Sequence, residues 1–149
     1  MRLAVGSDHG GRRLKDHLVA HLTSAGHEVV DVGTHSDDSC DYPDYAEKVA
    51  RMVASMDVAR GVLICGTGLG MSIAANKVSG VRAAVVSDAF SARMAMEHND
   101  ARVLCMGERV VGFSLAETCL DAWMGAQFEG GRHARRVGKM AALDGSSED

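Results

Sequence analysis

The segment from Gly61 to Ser72 joins a single thiol to a glycine-rich turn. A short apolar run ends at Cys65, and glycines follow at positions 66, 68 and 70. This pattern predicts a buried strand that presents the thiol at the mouth of a turn, immediately before a helix. Backbone N–H groups in such a turn can bind an anion, and those at a helix N-terminus favour the thiolate form of cysteine. The segment therefore predicts a thiolate nucleophile or general base beside an anion-binding turn.

The glycine turn differs from the phosphate loops whose sequence patterns are well defined. A dinucleotide-binding GxGxxG motif would need a third glycine where the chain has Met71. A cysteine phosphatase loop would need an arginine at that same position, and a P-loop would need a Gly-Lys-Ser/Thr sequence. What remains is a cradle of N–H groups from Gly66 to Gly70, and the pattern alone leaves a plain tight turn open as the alternative.

Two histidines and a pair of arginines are further candidates for chemistry. His9 and His98 lie beside predicted strand ends, although each is also compatible with an ordinary histidine outside any site. Arg132 and Arg136 are one helical turn apart, so their guanidinium groups can point together and bind a phosphate. An ordinary basic helix is the alternative for this pair.

The other histidines and cysteines receive ordinary interpretations. His17 and His21 are four residues apart on a predicted helix, and we interpret them as a solvated face because no third zinc ligand is evident. The cysteines at positions 40, 105 and 119 lack metal-type spacing and are interpreted as small apolar or surface residues.

Short apolar runs alternate with longer helical patterns along the whole chain. The predicted strands are Leu3–Gly6, Glu28–Val32, Val62–Cys65, Arg82–Val86 and Arg102–Met106. The predicted helices are Gly11–Ala25, Tyr42–Ser55, Gly70–Val78, Ala89–Glu97, Phe113–Met124 and Arg132–Ala142. This alternation is typical of an α/β fold with a parallel sheet and helices on both faces.

Polar side chains flank several of these predicted strands. Ligands of open α/β sheets bind beyond the carboxyl ends of the strands. The segments selected by that rule are Ser7–His9, Cys65 with its turn, Ser87–Asp88, and the two segments that bracket the fifth strand, 98–100 and 107–109. We therefore expect these groups to collect at one edge of the sheet and to form the active site.

Composition limits the class of protein. The 149 residues suit one domain, 46% of them are hydrophobic, and the net charge of −4 argues against non-specific binding of nucleic acid or anionic membranes. No apolar run is long enough for a membrane span, and the N-terminus does not resemble a signal peptide. The four cysteines without paired spacing indicate reduced thiols and a cytoplasmic location. The acidic end of the chain, residues 144–149, is expected to be flexible.

Taken together, these segments resemble ribose-5-phosphate isomerase type B and the related galactose-6-phosphate and allose-6-phosphate isomerases. The matching segments span nearly the whole chain: GSDHGG at 6–11, DYPDYA at 41–46, CGTGLGMSIAANK at 65–77, EHNDARVLCMGERVVG at 97–112 and DAWMGAQFEGGRHARRV at 121–137. The resemblance implies a three-layer α/β/α sandwich with a Rossmann-like five-stranded parallel sheet. It also implies a homodimer with active sites at the interface, and isomerisation of an aldose phosphate in the pentose phosphate pathway without metal or organic cofactor.

The resemblance also assigns roles to residues of this chain. The proton-abstracting cysteine corresponds to Cys65 and the ring-opening histidine to His98, with Asp8 as one group that could assist. The remaining substrate contacts correspond to Asp8, His9, Tyr42, Gly66, Thr67, Gly68, Leu69, Gly70 and Asn99, with Arg109, Arg132 and Arg136 on the phosphate. A second branch of the family uses a glutamate ten residues after the cysteine position, where this chain has Ala75.

Two alternatives remain open from the sequence. The chain could be an isomerase of allose or galactose 6-phosphate, because these relatives share the motifs and pocket depth is not visible in a sequence. It could also be a non-catalytic anion-binding module, which the combination of Cys65 with His98 disfavours. The sequence also leaves open whether dimers pair into tetramers, and which subunit supplies each arginine.

Overall fold

Five parallel strands form one sheet in the computed structural model, which describes residues 1–145. The strands are β1 (Arg2–Ser7), β2 (Glu28–Asp31), β3 (Arg60–Cys65), β4 (Ala83–Val85) and β5 (Val103–Gly107), and their spatial order is β2-β1-β3-β5-β4. The sequence predicted the same five strands, with ends that differ by one or two residues. The predicted α/β fold class is confirmed.

Six helices connect and cover the strands. They are α1 (Arg12–Ser24), α2 (Tyr42–Ala54), α3 (Leu69–Ala75), α4 (Ala89–Asn99), α5 (Phe113–Gly125) and α6 (Arg132–Ala141). A 3₁₀ turn, His9–Gly11, precedes α1, and a second, Ala142–Gly145, follows α6. Of the tail predicted to be flexible, residues 144 and 145 belong to this second turn, where Asp144 accepts a hydrogen bond from the Gly80 N–H, and the rest lies outside the described residues.

The sheet is buried on both faces, and the alternation of side chains along β1 shows how. Leu3 and Val5 belong to a core shared with α1, α4 and α5, whereas Ala4 belongs to a core shared with α2 and α3. Every residue of β3 and β5 is buried, as expected for central strands of a doubly covered parallel sheet. A three-layer sandwich results.

The histidines on α1 take part in this packing, which corrects the predicted solvated face. The Nε2 atom of His17 lies 2.6 Å from Glu117 Oε1, and that of His21 lies 2.7 Å from Asp121 Oδ1. Both acidic partners are on α5, so the two histidines join neighbouring helices. Their partners are 100 residues away in the sequence, which explains why local spacing gave no sign of them.

Candidate active site

Cys65 is the last residue of β3 and the first group of the candidate site. Its side chain is 5% exposed, and its sulfur accepts a hydrogen bond from the Gly68 N–H at 3.1 Å. Parallel strands end together at one edge of the sheet, where helices begin and backbone N–H groups face the ligand side. A hydrogen bond donated to sulfur stabilises the thiolate over the thiol. The predicted pairing of thiol and glycine turn is thus present.

Two of the glycines in the turn are required by the backbone and by close packing. Gly68 has a φ of +79°, and a Cβ there would lie 2.8 Å from the carbonyl carbon of Met106. A Cβ at Gly70 would lie 2.7 Å from the ring of Tyr42. Larger residues would displace the turn from β5 or from Tyr42, so the glycines fix the position of the N–H groups relative to Cys65.

The loop after β1 packs against this turn. Asp8 is 8% exposed and its Oδ1 accepts the Gly10 N–H at 2.9 Å, which closes the start of the 3₁₀ turn. A Cβ at Gly10 would lie 3.5 Å from the Gly66 nitrogen, so the two loops are in close contact. His9 is exposed, and its Nδ1 accepts the Cys40 N–H at 3.2 Å.

The turn after β5 completes this edge. The Glu108 N–H donates to the Cys65 carbonyl at 2.9 Å and the Arg109 N–H donates to the Gly66 carbonyl at 3.0 Å. The Arg109 side chain lies over Gly66, because a Cβ there would be 3.3 Å from Arg109 Nη1. The Glu108 carboxylate in turn accepts the Leu14 N–H at 2.9 Å and so ties this turn to the first turn of α1.

We refer to these groups as the thiol site. Its members lie at the carboxyl edge of the sheet or at the start of a helix beside that edge: Asp8, His9, Tyr42, Cys65, Gly66, Thr67, Gly68, Leu69, Gly70 and Arg109. The structure therefore brings together ten of the fourteen residues that the resemblance assigned to the site.

His98 and Asn99 lie at the other end of the sheet, which corrects the expectation that all candidate groups share one edge. They form the last turn of α4, which runs back from the carboxyl end of β4 to the amino end of β5. Cys65 pairs in register with Gly107, the last residue of β5. Cys65 and His98 of one chain are thus separated by the length of the strands, about 16 Å at about 3.3 Å per residue.

The second group of candidates surrounds His98. Its imidazole stacks on that of His133 with a centroid distance of 4.2 Å and an interplanar angle of 7°. Glu129 Oε2 lies 3.4 Å from His133 Nε2 and 4.0 Å from His98 Nε2. We call this group the histidine cluster, and it comprises His98, Asn99, Glu129, Arg132, His133 and Arg136.

Electrostatics within the histidine cluster favour a neutral His133. Burial lowers the pKa of His133, and the nearby His98 and Arg132 lower it further, while Glu129 opposes them. His133 is 6% exposed, whereas the His98 side chain is 37% exposed. His98 is therefore the imidazole of the pair that reaches solvent.

The arginines predicted to bind phosphate are divided between the two groups. Arg109 lies in the thiol site, and Arg132 and Arg136 lie in the histidine cluster. Within residues 1–145 none of these guanidinium groups forms an ion pair with a carboxylate. A charged group with no internal partner is available to an anionic ligand.

A cavity of about 680 Å³ also opens at the amino edge of the sheet, lined in part by Arg2, Arg60 and Arg102. Its arginines are already engaged: Arg2 pairs with Glu28 and Asp57, and Arg102 pairs with Asp100. Arg60 donates to the carbonyl groups at the end of α5. This cavity therefore offers less to an anion than the exposed arginines of α6.

A family model described as ribose/galactose isomerase matches residues 3–140. The chain belongs to this isomerase family. It is 52% identical to ribose-5-phosphate isomerase B of Escherichia coli over 143 residues, which cover 96% of each chain.

Solved structures of family members have the same fold. The ribose-5-phosphate isomerase B of Clostridium thermocellum superposes with a TM-score of 0.96 at 54% identity, covering 97% of both chains. That of Mycoplasma genitalium, whose structure contains ribulose 5-phosphate, superposes with a TM-score of 0.94 at 40% identity over 98% of this chain and 97% of the other. Within residues 1–145 of the present chain, none of the helices has the length and hydrophobicity of a membrane span.

Sequence reasoning missed several groups beside the site. Glu129 and His133 received no role, and Glu108 was noted only as part of the turn after β5. Cys40 was set aside, although its sulfur lies 3.9 Å from His9 Nδ1. The sequence could have indicated that Glu108 lies beside the site, because Glu108 is in the predicted loop after β5. The other three depend on contacts between distant segments, and the sequence held no signal for them.

Proposed function

We propose that the chain interconverts ribose 5-phosphate and ribulose 5-phosphate through an enediolate intermediate. One observation carries the proposal: the Cys65 sulfur stands at the carboxyl edge of the sheet with the Gly68 N–H directed at it. The relatives named above are ribose-5-phosphate isomerases, and one of them binds ribulose 5-phosphate in its solved structure.

Cys65 is the base that moves the proton between carbons. The thiolate removes the proton from C2 of the open-chain aldose, and the electron pair of that C–H bond forms the enediolate. The thiol then returns a proton to C1 while the hydroxyl proton passes from O2 to O1, which gives the ketose and regenerates the thiolate. General base catalysis of this kind contributes about 10²–10⁴-fold, so other groups must lower the barrier as well.

The turn from Gly66 to Gly70 is the second contributor. Negative charge develops on the substrate oxygens as the enediolate forms, and one well-placed N–H donor stabilises such charge by about 2.7–4 kcal/mol. Two N–H groups of the turn already have partners within the protein. The Gly68 N–H donates to the Cys65 sulfur, and the Leu69 N–H donates to Thr67 Oγ1 at 3.3 Å. We assign the charge of the intermediate to the N–H groups of Gly66 and Gly70.

Ring opening precedes this step and is assigned to His98. A closed sugar needs a proton delivered to the ring oxygen and another removed from the anomeric hydroxyl, which an imidazole can do near neutral pH. His98 and Cys65 of one chain lie at opposite ends of the strands. A single substrate can therefore meet both groups only where a second copy of the chain brings its histidine cluster to the thiol site.

We accordingly propose a homodimer with two shared active sites. A self-complementary interface places the same pair of surfaces on both subunits, so each thiol site can face a histidine cluster. Exposed apolar side chains beside the thiol site support this pairing: Leu69, Ile73, Val85, Phe90 and Val110 are each at least 39% exposed. A cavity of about 310 Å³, lined by Thr67, Leu69, Val85, Val86, Ser87 and Val110, lies among them. Such a patch is typical of an interaction surface.

Phosphate binding joins the two subunits in this arrangement. Arg109 from one chain and Arg132 with Arg136 from the other would surround the phosphate. The phosphate does not react, so its binding energy serves to hold C2 against Cys65. We also propose that the enzyme works in the cytoplasm, because all four cysteines are free thiols.

The test compares kcat/KM for ribose, allose and galactose phosphates, together with exchange of the C2 proton of ribose 5-phosphate with solvent deuterium. We expect ribose 5-phosphate to be preferred, and exchange to occur. A preference for allose or galactose phosphate would favour the hexose alternative. Binding without exchange or turnover would favour an anion-binding module and overturn the proposed function.

A further inference from the structure

His133 stacks on His98, yet no step of the proposed reaction uses His133. The rings come from α4 and α6, which are separate in the chain, and they are nearly parallel at 7°. His133 is the buried residue of α6, whose other described residues are exposed or half-buried. A helix that buries a single imidazole against another imidazole is anchored through that contact.

The loop before α6 reinforces the contact. The Glu129 N–H donates to the Glu97 carbonyl at 3.0 Å, directly beside His98 in the chain, and the His133 N–H donates to the Gly130 carbonyl at 3.0 Å. At the end of α5, Arg60 binds the carbonyl of Ala126 at 2.8 Å. The backbone therefore holds Glu129 and His133 in place relative to the last turn of α4.

The same three residues also have donor atoms within 4.8 Å of one another, which raises the question of a metal ion. Two features of the structure argue against that use. The rings are parallel, so the lone pairs of their nitrogens do not converge on one point. Arg132 and Arg136 act on the cluster as positive charges, which disfavours a divalent cation.

We propose that His133 and Glu129 are positioning residues for His98: the face of His133 fixes the plane of the His98 imidazole, and the Glu129 carboxylate, 3.4 Å from His133 Nε2 and 4.0 Å from His98 Nε2, holds the pair in place. The proposal rests on the assignment of ring opening to His98. A fixed imidazole plane aims the proton at the ring oxygen, and a displacement of about 1 Å in such a group can cost about 10²-fold in rate.

Exposure makes His98, and not His133, the member of the pair that can meet a substrate. Two stacked imidazolium rings would repel each other, and burial together with the neighbouring His98 and Arg132 lowers the pKa of His133. The charged groups near the pair are Glu129, whose Oε2 lies within 4.0 Å of Nε2 on both rings, and Arg132 and Arg136 on α6. Glu97 precedes His98 on α4 and pairs with Arg93. Glu129 is the acidic group nearest to both rings.

The experiment separates ring opening from proton transfer. Forward turnover of ribose 5-phosphate starts from the closed ring. Ribulose 5-phosphate cannot close a five-membered ring because its 5-hydroxyl carries the phosphate, so solvent-deuterium exchange at its C1 reports on proton transfer without ring opening. We expect His133→Ala to lower the forward kcat about 10-fold and to leave the exchange rate unchanged. His133→Phe should recover most of the loss, because a phenyl ring offers a similar stacking face.

Glu129→Gln supplies a readout that a merely structural role would not move. The amide keeps the shape of the side chain and removes its charge, so the forward kcat should fall about 2–5-fold, while exchange at C1 of ribulose 5-phosphate stays unchanged. Arg135→Ala, an exposed neighbour on the same helix, is the matched control and should change neither assay.

Equal losses in both assays, or an unchanged forward rate in both His133→Ala and Glu129→Gln, would overturn the positioning role. If His133→Ala fails to fold, as judged by thermal melting, the Phe and Gln variants carry the same test. A wild-type protein that shows neither turnover nor exchange would instead contradict the proposed function.

Discussion

The two parts of the candidate site are built in different ways. The thiol site is formed largely by backbone: turns after parallel strands, glycines that allow close approach, and the Gly68 N–H that donates to Cys65. The histidine cluster is formed by side chains at helix ends, where His98 and His133 stack beside Glu129. Backbone geometry suits the step in which charge develops at a fixed place. Side chains that titrate suit the step that needs a proton delivered.

A second comparison, between two thiols, shows how position decides reactivity. Cys105 lies in β5, opposite Leu63 of β3, and Cys65 lies two residues further along β3. Burial raises the pKa of Cys105, and the charge of Cys65 adds to this effect, so Cys105 stays protonated. Cys65, at the strand end, instead receives the Gly68 N–H. A shift of two residues along the sheet therefore separates the protonated core thiol of Cys105 from the candidate base, Cys65.

Removal of the Cys65 thiol should have the largest effect. Cys65→Ala is expected to lower the rate of C1 exchange in ribulose 5-phosphate by up to about 10⁴-fold, the upper end of the range for a general base. Cys105→Ala is the matched control, because it removes a thiol from the neighbouring strand without touching the turn. Exchange at near wild-type rate in Cys65→Ala would remove this residue from the role of base.

Mixing two inactive variants tests whether the two regions act together across subunits. A mixture of Cys65→Ala and His98→Asn in equal amounts should regain about a quarter of wild-type forward activity after subunit exchange. Half of the random dimers are hybrids, and each hybrid holds one intact site out of two. No recovery, in a mixture shown to exchange subunits, would place both groups in one chain and contradict the shared site.

Displacing the glycine turn should cost less than removing the thiol. Gly68→Ala places a Cβ 2.8 Å from Met106 and should lower kcat by about 10²–10³-fold, because the N–H groups of the turn move away from sulfur and substrate. Gly80→Ala is the control, since Gly80 also has positive φ, +81°, but open space around it. Similar losses in the two variants would show that backbone strain alone is responsible.

Loss of an arginine from the histidine cluster should weaken binding of the substrate phosphate. Arg136→Ala is expected to raise KM for ribose 5-phosphate about 10-fold or more, the range of a charge-assisted hydrogen bond, with little change in kcat. Arg135→Ala on the same helix should leave KM unchanged. An unaltered KM in Arg136→Ala would assign the phosphate to other groups.

The smallest expected effect is on the pH dependence of the free energy of unfolding. The pKa of His133 is lowered from 6.5 in the folded protein, mainly by burial. The folded chain therefore binds fewer protons than the unfolded chain just below pH 6.5, so this contribution to stability is complete above that pH and is lost as pH falls through it. The free energy of unfolding, measured by urea denaturation at fixed protein concentration, should differ less between pH 7.5 and pH 5.5 for His133→Asn than for wild type. An equal difference would contradict this prediction.

Much of this molecule follows from local sequence. The alternation of apolar runs and helical patterns gives all five strands, because strand and helix periodicity depend on near neighbours. The thiol and its turn could also be predicted, since Cys65 and Gly68 are only three residues apart and form one strand–turn–helix unit. Even the restriction to glycine at position 68 reflects a local backbone conformation, the positive φ.

Only the tertiary structure decided where the other half of the site lies. The sequence grouped His98 with Cys65, but a segment that precedes a parallel strand lies at the opposite edge from one that follows it. The stacking of His98 on His133 and the pairing of His17 with Glu117 join residues 35 and 100 positions apart. Such contacts depend on how helices pack on the sheet, and no short-range pattern encodes that packing.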